Sequence, residues 1–267
     1  MALRSRTSPS RRDHGLSLRQ AVALGLIQGP AELLPVSSSG HLVLIPALMN
    51  WPYARLPADV RKAFEVALHT GAGAALGLLL REDALAAAKD PIATTLLAGP
   101  AAAIAFALEP VIEERLSGPR IAAVAQIAAG CLLAVADARP ARRSDVRLLD
   151  RIAVGAAQAM ALVPGVSRNG ATLTAARALR LDRETAAVLS WRAGLPIIGG
   201  ATLLKVVRLS QRGLAPELRA PFAAGATAAF LSTLAARPLL RVRRYRVTAA
   251  YRIALGAIAL RRLDRLQ

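Results

Sequence analysis

The chain has 267 residues, a formal net charge of +18 and one cysteine. Apolar residues make up 54% of it and aromatic residues only 3%, and its mean hydropathy is +0.41. This apolar content excludes a disordered chain, the lone Cys131 excludes a disulfide scaffold, and the shortage of aromatic rings argues against nucleic-acid binding, which uses them as stacking platforms.

Charge-free stretches alternate with basic clusters along the sequence. A membrane-spanning helix needs roughly 20 mainly apolar residues, and several stretches reach or nearly reach that length. Residues 1–15 are rich in Arg and Ser, and we expect a disordered basic arm there, followed by one transmembrane domain over residues 16–267. Apolar stretches flanked by basic loops are typical of a multi-pass protein whose partners include anionic membrane lipids. The segments predicted to span are 64–80, 91–108, 121–136, 185–207, 220–236 and 247–260, with residues 81–90 as a loop.

Two segments, residues 16–45 and 146–175, depart from this pattern and resemble each other. Shifted by 130 residues, 18–42 overlies 148–172 without a gap and with 8 identities in 25 positions. Each copy is interrupted by a proline, which breaks a helix, and then by a serine, which caps a new one. The sequence therefore predicts an all-α polytopic membrane protein, an inverted repeat with two re-entrant helical hairpins and halves at 16–136 and 146–262.

Polar residues gather at the two breaks, and their chemistry suits a phosphate group. Arg168 offers a fixed cation with bidentate geometry. We expect the two helices that restart after the breaks to aim their N-terminal N–H groups at one shared cavity. The phosphoryl acceptor is left open between Ser38, His41 and an activated water. The short hydrogen-bonding residues at the breaks are Ser37, Ser38, Ser39, Ser167, Asn169 and Thr172.

Ionisable residues inside the apolar segments are functional candidates by default, because burying a charge in a membrane is unfavourable. Glu32 is a candidate base or a candidate ligand of a divalent cation. Glu65 and His69 lie four residues apart on one predicted helix face. They either pair with each other or line the same cavity as Glu32.

The two breaks lie within longer motifs. Residues 28–42, QGPAELLPVSSSGHL, resemble the first signature of the undecaprenyl-diphosphatase family, the bacitracin-resistance membrane phosphatases. Residues 164–172, PGVSRNGAT, resemble its second signature, and residues 251–256, YRIALG, resemble its last span. In order and spacing the resemblance extends from residue 16 to residue 260.

The resemblance implies an enzyme of the bacterial plasma membrane that hydrolyses undecaprenyl diphosphate to undecaprenyl phosphate and inorganic phosphate. It also implies a divalent cation, magnesium or calcium, and leaves homo-oligomerisation open. Carried over by position, the implied active residues are Glu32, Ser38, His41, Ser167, Arg168 and Thr172. We assign catalysis to Glu32, Ser38, His41 and Arg168, and the cation to Glu32. We assign substrate binding to Gln28, Ser37, Ser39, Ser167, Asn169 and Thr172.

The chain departs from the family pattern at a few positions. Gln28 stands where the family uses Glu or Gln, so a mechanism with two carboxylates is not assumed. Asn169 replaces a commoner Ser and Pro30 a commoner Leu, while Trp191 and Arg192 stand where the family prefers Phe and Leu. None of these changes removes Glu32 or Arg168.

A transporter or lipid flippase is the alternative function, because inverted repeats with broken helices also build transporters. Such a protein releases its ligand unchanged and needs no nucleophile. A membrane scaffold without chemistry would leave the duplicated polar turns unexplained.

Overall fold

The computed structural model describes residues 16–116, 118–212 and 215–265, so the predicted basic arm at residues 1–15 lies outside the described residues. The described chain is almost entirely helical. Its α-helices are α1 (Leu18–Leu33), α2 (Ser38–Leu48), α3 (Ala58–Leu79), α4 (Arg81–Lys89), α5 (Pro91–Arg115), α6 (Pro119–Ala138), α7 (Leu148–Ala157), α8 (Arg168–Ala178), α9 (Arg183–Arg212), α10 (Pro216–Ala235) and α11 (Tyr245–Asp264). Short 3-10 helices cover Pro52–Arg55, Gln158–Leu162 and Arg237–Arg241. No strand occurs in these described ranges, which confirms the all-α prediction.

Each predicted span coincides with a helix. Among the described residues, Pro91–Leu108, Pro119–Ala138 and Arg183–Leu204 are long and apolar enough to cross a membrane, and α3 with α4 would form a fourth span bent by 81°. The prediction of a loop at residues 81–90 is wrong, because α4 occupies it. Acidic residues in the first turn of α4 and Lys89 in its last turn complement the helix dipole and stabilise this short helix.

Large apolar side chains face outward on several helices. Phe106 on α5 is 90% exposed, and Leu132 and Val135 on α6 are 61% and 60% exposed. A protein surrounded by water rarely exposes apolar surface on this scale. These side chains fit the acyl chains of a lipid bilayer, so the chain is a membrane protein.

The sequence repeat is also a repeat of helices. Helices α1 and α7 begin at Leu18 and Leu148, and 18 + 130 = 148. Helices α2 and α8 cover Ser38–Leu48 and Arg168–Ala178, and both ends differ by the same 130 residues. The duplication therefore includes both hairpins. That the two halves are inverted in the bilayer, and that the hairpins are re-entrant, stay predictions.

Helices of one half pack against helices of the other half. Helix α1 packs most extensively on α10, and α6 packs on α11. Glycines allow these close approaches: Gly25 of α1 lies against the backbone of Gly225 and Ala229, and Gly256 of α11 lies against the carbonyl of Ala123. This interlocking brings the two hairpins side by side.

A buried ion pair holds the start of the second hairpin. Arg143 donates to both carboxylate oxygens of Asp150, each at 2.6 Å. The backbone N–H of Arg147 donates to the same carboxylate at 2.7 Å. The Arg143 hydrogen bonds hold the pKa of the Asp150 carboxyl below its usual value.

Asp150→Asn should lower the unfolding temperature at neutral pH and flatten its dependence on acid. A carboxyl whose pKa is depressed by folding stabilises the protein above its unfolded pKa, about 4, and loses that contribution as the pH falls through the lower folded value. Thermal unfolding in detergent between about pH 6 and pH 2 measures the difference. Asp145→Asn is the matched control, because the Asp145 carboxylate is exposed and pairs with exposed Arg147. Identical pH curves for wild type and Asp150→Asn would contradict the prediction.

Candidate active site

In both hairpins the second helix begins at a capping serine. Helix α1 ends at Leu33, just before Pro35, which has no backbone N–H to continue the helix. Helix α2 then begins with the Ser37 side chain accepting the backbone N–H of Gly40 at 3.2 Å. Helix α8 begins in the same way, with Ser167 accepting from Gly170 at 3.0 Å. Each turn therefore presents a serine-capped helix N-terminus, whose dipole favours an anion.

One buried guanidinium joins the two turns. Arg252 of α11 is 0% exposed and donates to the carbonyl of Pro35 at 3.0 Å and to the carbonyl of Gly165 at 2.9 Å. It also donates to Oε1 of Gln126 at 3.0 Å, while the Gln126 amide donates to the carbonyl of Val36 at 2.8 Å. Carbonyls freed where a helix breaks are unfavourable in an apolar medium unless they are paired. Arg252 and Gln126 provide that pairing for both turns at once.

The second turn also needs a glycine. Gly165 has φ +98°, a conformation that side chains other than glycine rarely adopt. A Cβ at this position would also collide with the backbone of Ala122 on α6. The turn can therefore pack closely against α6 only because residue 165 has no side chain.

We expect Arg252→Lys to weaken the packing of the two turns. A single ammonium cannot reproduce the planar fork that reaches three acceptors, so at least one buried carbonyl loses its donor, and the loss of stability is about 1–3 kcal/mol. Thermal or denaturant unfolding in detergent measures it. Arg261→Lys, on the exposed face of the same helix, is the control and should be neutral. Equal stability of the two variants would mean that the guanidinium does not hold the turns.

The first turn places a hydroxyl against a carboxylate. The Ser38 hydroxyl donates to Oε2 of Glu32 at 2.7 Å. Nη2 of Arg168, from the second turn, lies 3.5 Å from the other carboxylate oxygen, Oε1. Ser38 and Arg168, which are 130 positions apart in the two repeats, thus meet at one carboxylate. The Glu32 side chain is 10% exposed and the Arg168 side chain 13%, so both reach the surface of the protein.

Two further side chains complete the surroundings of Glu32. The Gln28 amide nitrogen donates to Glu32 at 3.3 Å and lies 3.1 Å from Nδ1 of His69. Nδ1 of His69 lies 3.6 Å from Glu32. The Gln28 amide is assigned this orientation because the reverse one would place its oxygen against a carboxylate oxygen of Glu32. Oε1 of Gln28 is then buried and has no hydrogen-bond partner.

The His41 ring bonds to groups other than Glu32 and Arg168. Its Nδ1 is 2.7 Å from the carbonyl of Ser37, and its Nε2 is 2.7 Å from the hydroxyl of Tyr251. A carbonyl only accepts, so Nδ1 carries a proton and the neutral ring accepts the Tyr251 proton at Nε2. The two rings are also stacked, with centroids 5.6 Å apart. Both ring nitrogens of His41 are therefore engaged in holding the first turn.

Several predicted substrate-binding residues are engaged within the protein. Ser37 and Ser167 cap the two helices. The amide of Asn169 donates to the carbonyl of Leu33 at 3.2 Å. Thr172 and Ser190 lie 2.6 Å apart, and Ser190 donates to Asn169 at 2.7 Å. Ser38 and Ser39 are half-buried, so they are the serines of the first turn that a ligand reaches most directly.

The structure adds residues that sequence reasoning missed. Arg252, Gln126 and Ser190 are buried polar residues in otherwise apolar helices, and that was the available signal. Trp191, whose ring lies 5.9 Å from Cζ of Arg168, was noted only as a departure from the family pattern. Of the pair Glu65 and His69, it is His69 that borders Glu32.

Glu32 is the carboxylate of this cluster that would hold a divalent cation together with a phosphate ligand. Within the described ranges no group of three or more His, Cys, Asp or Glu side chains is placed to hold a metal ion. Magnesium, however, is commonly held by one or two carboxylates together with substrate phosphates. Glu32 supplies the carboxylate, whereas Gln28 turns its amide nitrogen toward Glu32 and its Oε1 is buried.

The fold and the site define a class: a polytopic α-helical membrane protein in which Glu32, Ser38 and Arg168 meet where two repeated helix breaks come together. The family described as "Bacitracin resistance protein BacA" matches residues 21–258, and the chain belongs to it. The undecaprenyl-diphosphatase of Geobacter sulfurreducens is 38% identical over 252 residues, covering 86% of this chain and 91% of the relative. That of Geobacter metallireducens is 42% identical over 217 residues (74% and 78%). That of Thermomicrobium roseum is 36% identical over 277 residues (92% and 98%).

Proposed function

We propose that this protein hydrolyses undecaprenyl diphosphate to undecaprenyl phosphate and inorganic phosphate in the bacterial plasma membrane. It thereby returns the lipid carrier to cell-wall synthesis and confers resistance to bacitracin. The observation that carries the proposal is the 2.7 Å hydrogen bond from Ser38 to Glu32 beside the Arg168 guanidinium. A hydroxyl, its base and a cation are the groups that phosphoryl transfer requires.

Ser38 is the nucleophile that this geometry favours. Glu32 takes the proton from the Ser38 hydroxyl while Oγ attacks the terminal phosphorus. The bond from that phosphorus to the bridging oxygen breaks, and undecaprenyl phosphate leaves with the bonding electrons and takes the proton from Glu32, which is again a carboxylate. Water then attacks the phosphoserine, its proton passes to Glu32, and the Ser38–phosphorus bond breaks to release inorganic phosphate. Protonation of Ser38 by Glu32 restores the starting state.

Arg168 and the two helix N-termini bind the negative charge of the diphosphate. The guanidinium is a planar, permanently charged donor suited to phosphate oxygens, and the helix dipoles add partial positive charge. Glu32 would hold a divalent cation, which when bound neutralises part of the charge on the phosphates. The polyprenyl tail extends along the lipid-facing surface, where the protein already exposes apolar side chains.

The test is release of inorganic phosphate from undecaprenyl diphosphate by the purified protein in detergent. We expect turnover by wild type and none by Ser38→Ala, with Ser144→Ala as the control, because Ser144 is exposed and lies outside both turns. Detergent offers no second compartment, so a flippase without chemistry would release no phosphate. Binding of the lipid without phosphate release would contradict the proposal.

Removal of divalent cations should lower the rate of phosphate release. The charge on the diphosphate would then be neutralised by Arg168 and the helix ends alone, and metal assistance is worth several kcal/mol in such reactions. Wild type assayed with a chelator, and again after excess magnesium or calcium is added back, gives the measurement. An unchanged rate in chelator would show that the reaction needs no cation.

A further inference from the structure

The guanidinium of Arg168 lies in a recess on α9, a helix outside both predicted turns. Cζ of Arg168 lies 5.9 Å from the centre of the Trp191 ring, and Trp191 is itself buried, with 6% exposed. Gly194 follows three residues later and thus lies on the same face of the helix as Trp191. An arginine over the face of a tryptophan gains a cation–π attraction.

Gly194 leaves the room that the guanidinium occupies. A Cβ built on Gly194 would lie 2.6 Å from Cζ of Arg168, 3.3 Å from Nη2 and closer still to Nη1. At the distances to Cζ and Nη1 the guanidinium would have to shift. The same test at Gly199 and Gly200 of α9 finds nothing within 4 Å. A side chain at residue 194 would therefore meet the guanidinium, whereas one at residue 199 or 200 would meet nothing.

Three groups surround the guanidinium and determine its position. The Trp191 ring and the backbone at Gly194 lie on the α9 side, and Glu32 lies 3.5 Å from Nη2 on the side of the first turn. Nη1 is buried against this recess and has no hydrogen-bond partner. The recess, rather than a hydrogen bond to Nη1, thus sets how near Arg168 comes to Glu32 and Ser38.

We propose that Gly194 and Trp191 are positioning residues for the diphosphatase reaction, because they seat the Arg168 guanidinium at the distance from Ser38 that the terminal phosphate requires. This inference rests on the proposed function. A larger residue at 194 would push the guanidinium toward Glu32 or out of the site. Displacement of a binding group by about 1 Å lowers turnover by about 100-fold.

The experiment compares Gly194→Ala with Gly199→Ala. Both changes replace glycine by alanine in one helix and raise its helix propensity equally, but only the first meets the guanidinium. We expect kcat/KM for phosphate release to fall by about 100-fold in Gly194→Ala and to stay at the wild-type value in Gly199→Ala. Thermal unfolding of each variant shows whether the fold is intact.

Trp191 supplies an independent arm in case the added methyl group unfolds the protein. Trp191→Phe keeps an aromatic face for Arg168 and should retain most of the activity. Trp191→Leu removes the face and should lower kcat/KM several-fold. Equal activity in these two variants, with Gly194→Ala as active as wild type, would overturn the positioning role.

A double-mutant cycle separates positioning of Arg168 from a purely structural effect. The measured quantity is the rise in unfolding temperature caused by inorganic diphosphate, which does not depend on turnover. Gly194→Ala should reduce this rise in the wild-type background and change it little in Arg168→Lys, because lysine has no planar fork to displace. An equal reduction in both backgrounds overturns the inference.

If wild type itself releases no phosphate, the proposed function fails and the positioning role with it, whereas active wild type beside equally active Gly194→Ala refutes the positioning role alone.

Discussion

Replacing Arg168 with alanine is expected to abolish phosphate release, lowering kcat by about 1000-fold or more. Cationic donors that stabilise the transition state of phosphoryl transfer contribute on this scale. Arg168 is the arginine that the structure places against the Ser38–Glu32 pair, 3.5 Å from the carboxylate. Its loss also leaves the Glu32 carboxylate without this neighbouring cation. Phosphate release from undecaprenyl diphosphate in detergent measures the effect.

Two further variants test this result: Arg168→Lys as an intermediate case and Arg192→Ala as a control. Lysine keeps the charge but loses bidentate geometry, so we expect activity between those of wild type and Arg168→Ala. Arg192 lies on α9, one residue from Trp191, but its side chain is exposed and faces Asp83. Arg192→Ala should therefore behave like wild type. Near-normal turnover by Arg168→Ala would overturn the assignment of the site.

Glu32→Gln is expected to reduce kcat by 100-fold to 10,000-fold, in the range reported for removal of a general base. The amide has the shape of the carboxylate and can still accept the hydrogen bond from Ser38. It cannot take the proton when Ser38 attacks phosphorus. The substitution therefore preserves the geometry and removes the proton acceptor.

Rapid quenching distinguishes the role of Glu32 from that of Ser38. In Glu32→Gln the attack on phosphorus is slow and little phosphoserine accumulates, whereas Ser38→Ala cannot form it at all. Glu184→Gln is the control, since Glu184 is exposed and pairs with Arg243 on the surface. If Glu32→Gln turns over at the wild-type rate, the proton of Ser38 goes elsewhere and this mechanism is wrong.

The hairpins could be located from the sequence because their signals are local. Pro35 removes a helix donor, and Ser37 and Ser167 cap the next helix within three residues, so each break follows from its own neighbourhood. The 130-residue offset of the repeat holds at the starts of α1 and α7 and at both ends of α2 and α8, as well as in the identities. Glu32, Ser38 and Arg168 could be named as candidates because charged or nucleophilic residues stand out beside such breaks.

The orientation of side chains in the site could not be read in the same way. His41 looked as suitable as Ser38 for receiving a phosphoryl group, yet both of its ring nitrogens bond to Ser37 and Tyr251. Asn169 and Thr172 looked like ligands for phosphate, yet they bond to residues of α1 and α9. The hydrogen-bonding capacity of a residue is visible in the sequence, but the partner that uses it is not.

By itself the sequence determined the membrane character, the helices and the two helix breaks, because these depend on composition and on residues a few positions apart. Only the tertiary structure decided which groups face one another at the site. The buried guanidinium of Arg252 bonds to carbonyls 217 and 87 residues away, and the recess at Gly194 takes a side chain from another helix. Such contacts depend on how the two halves pack, and no local pattern records them.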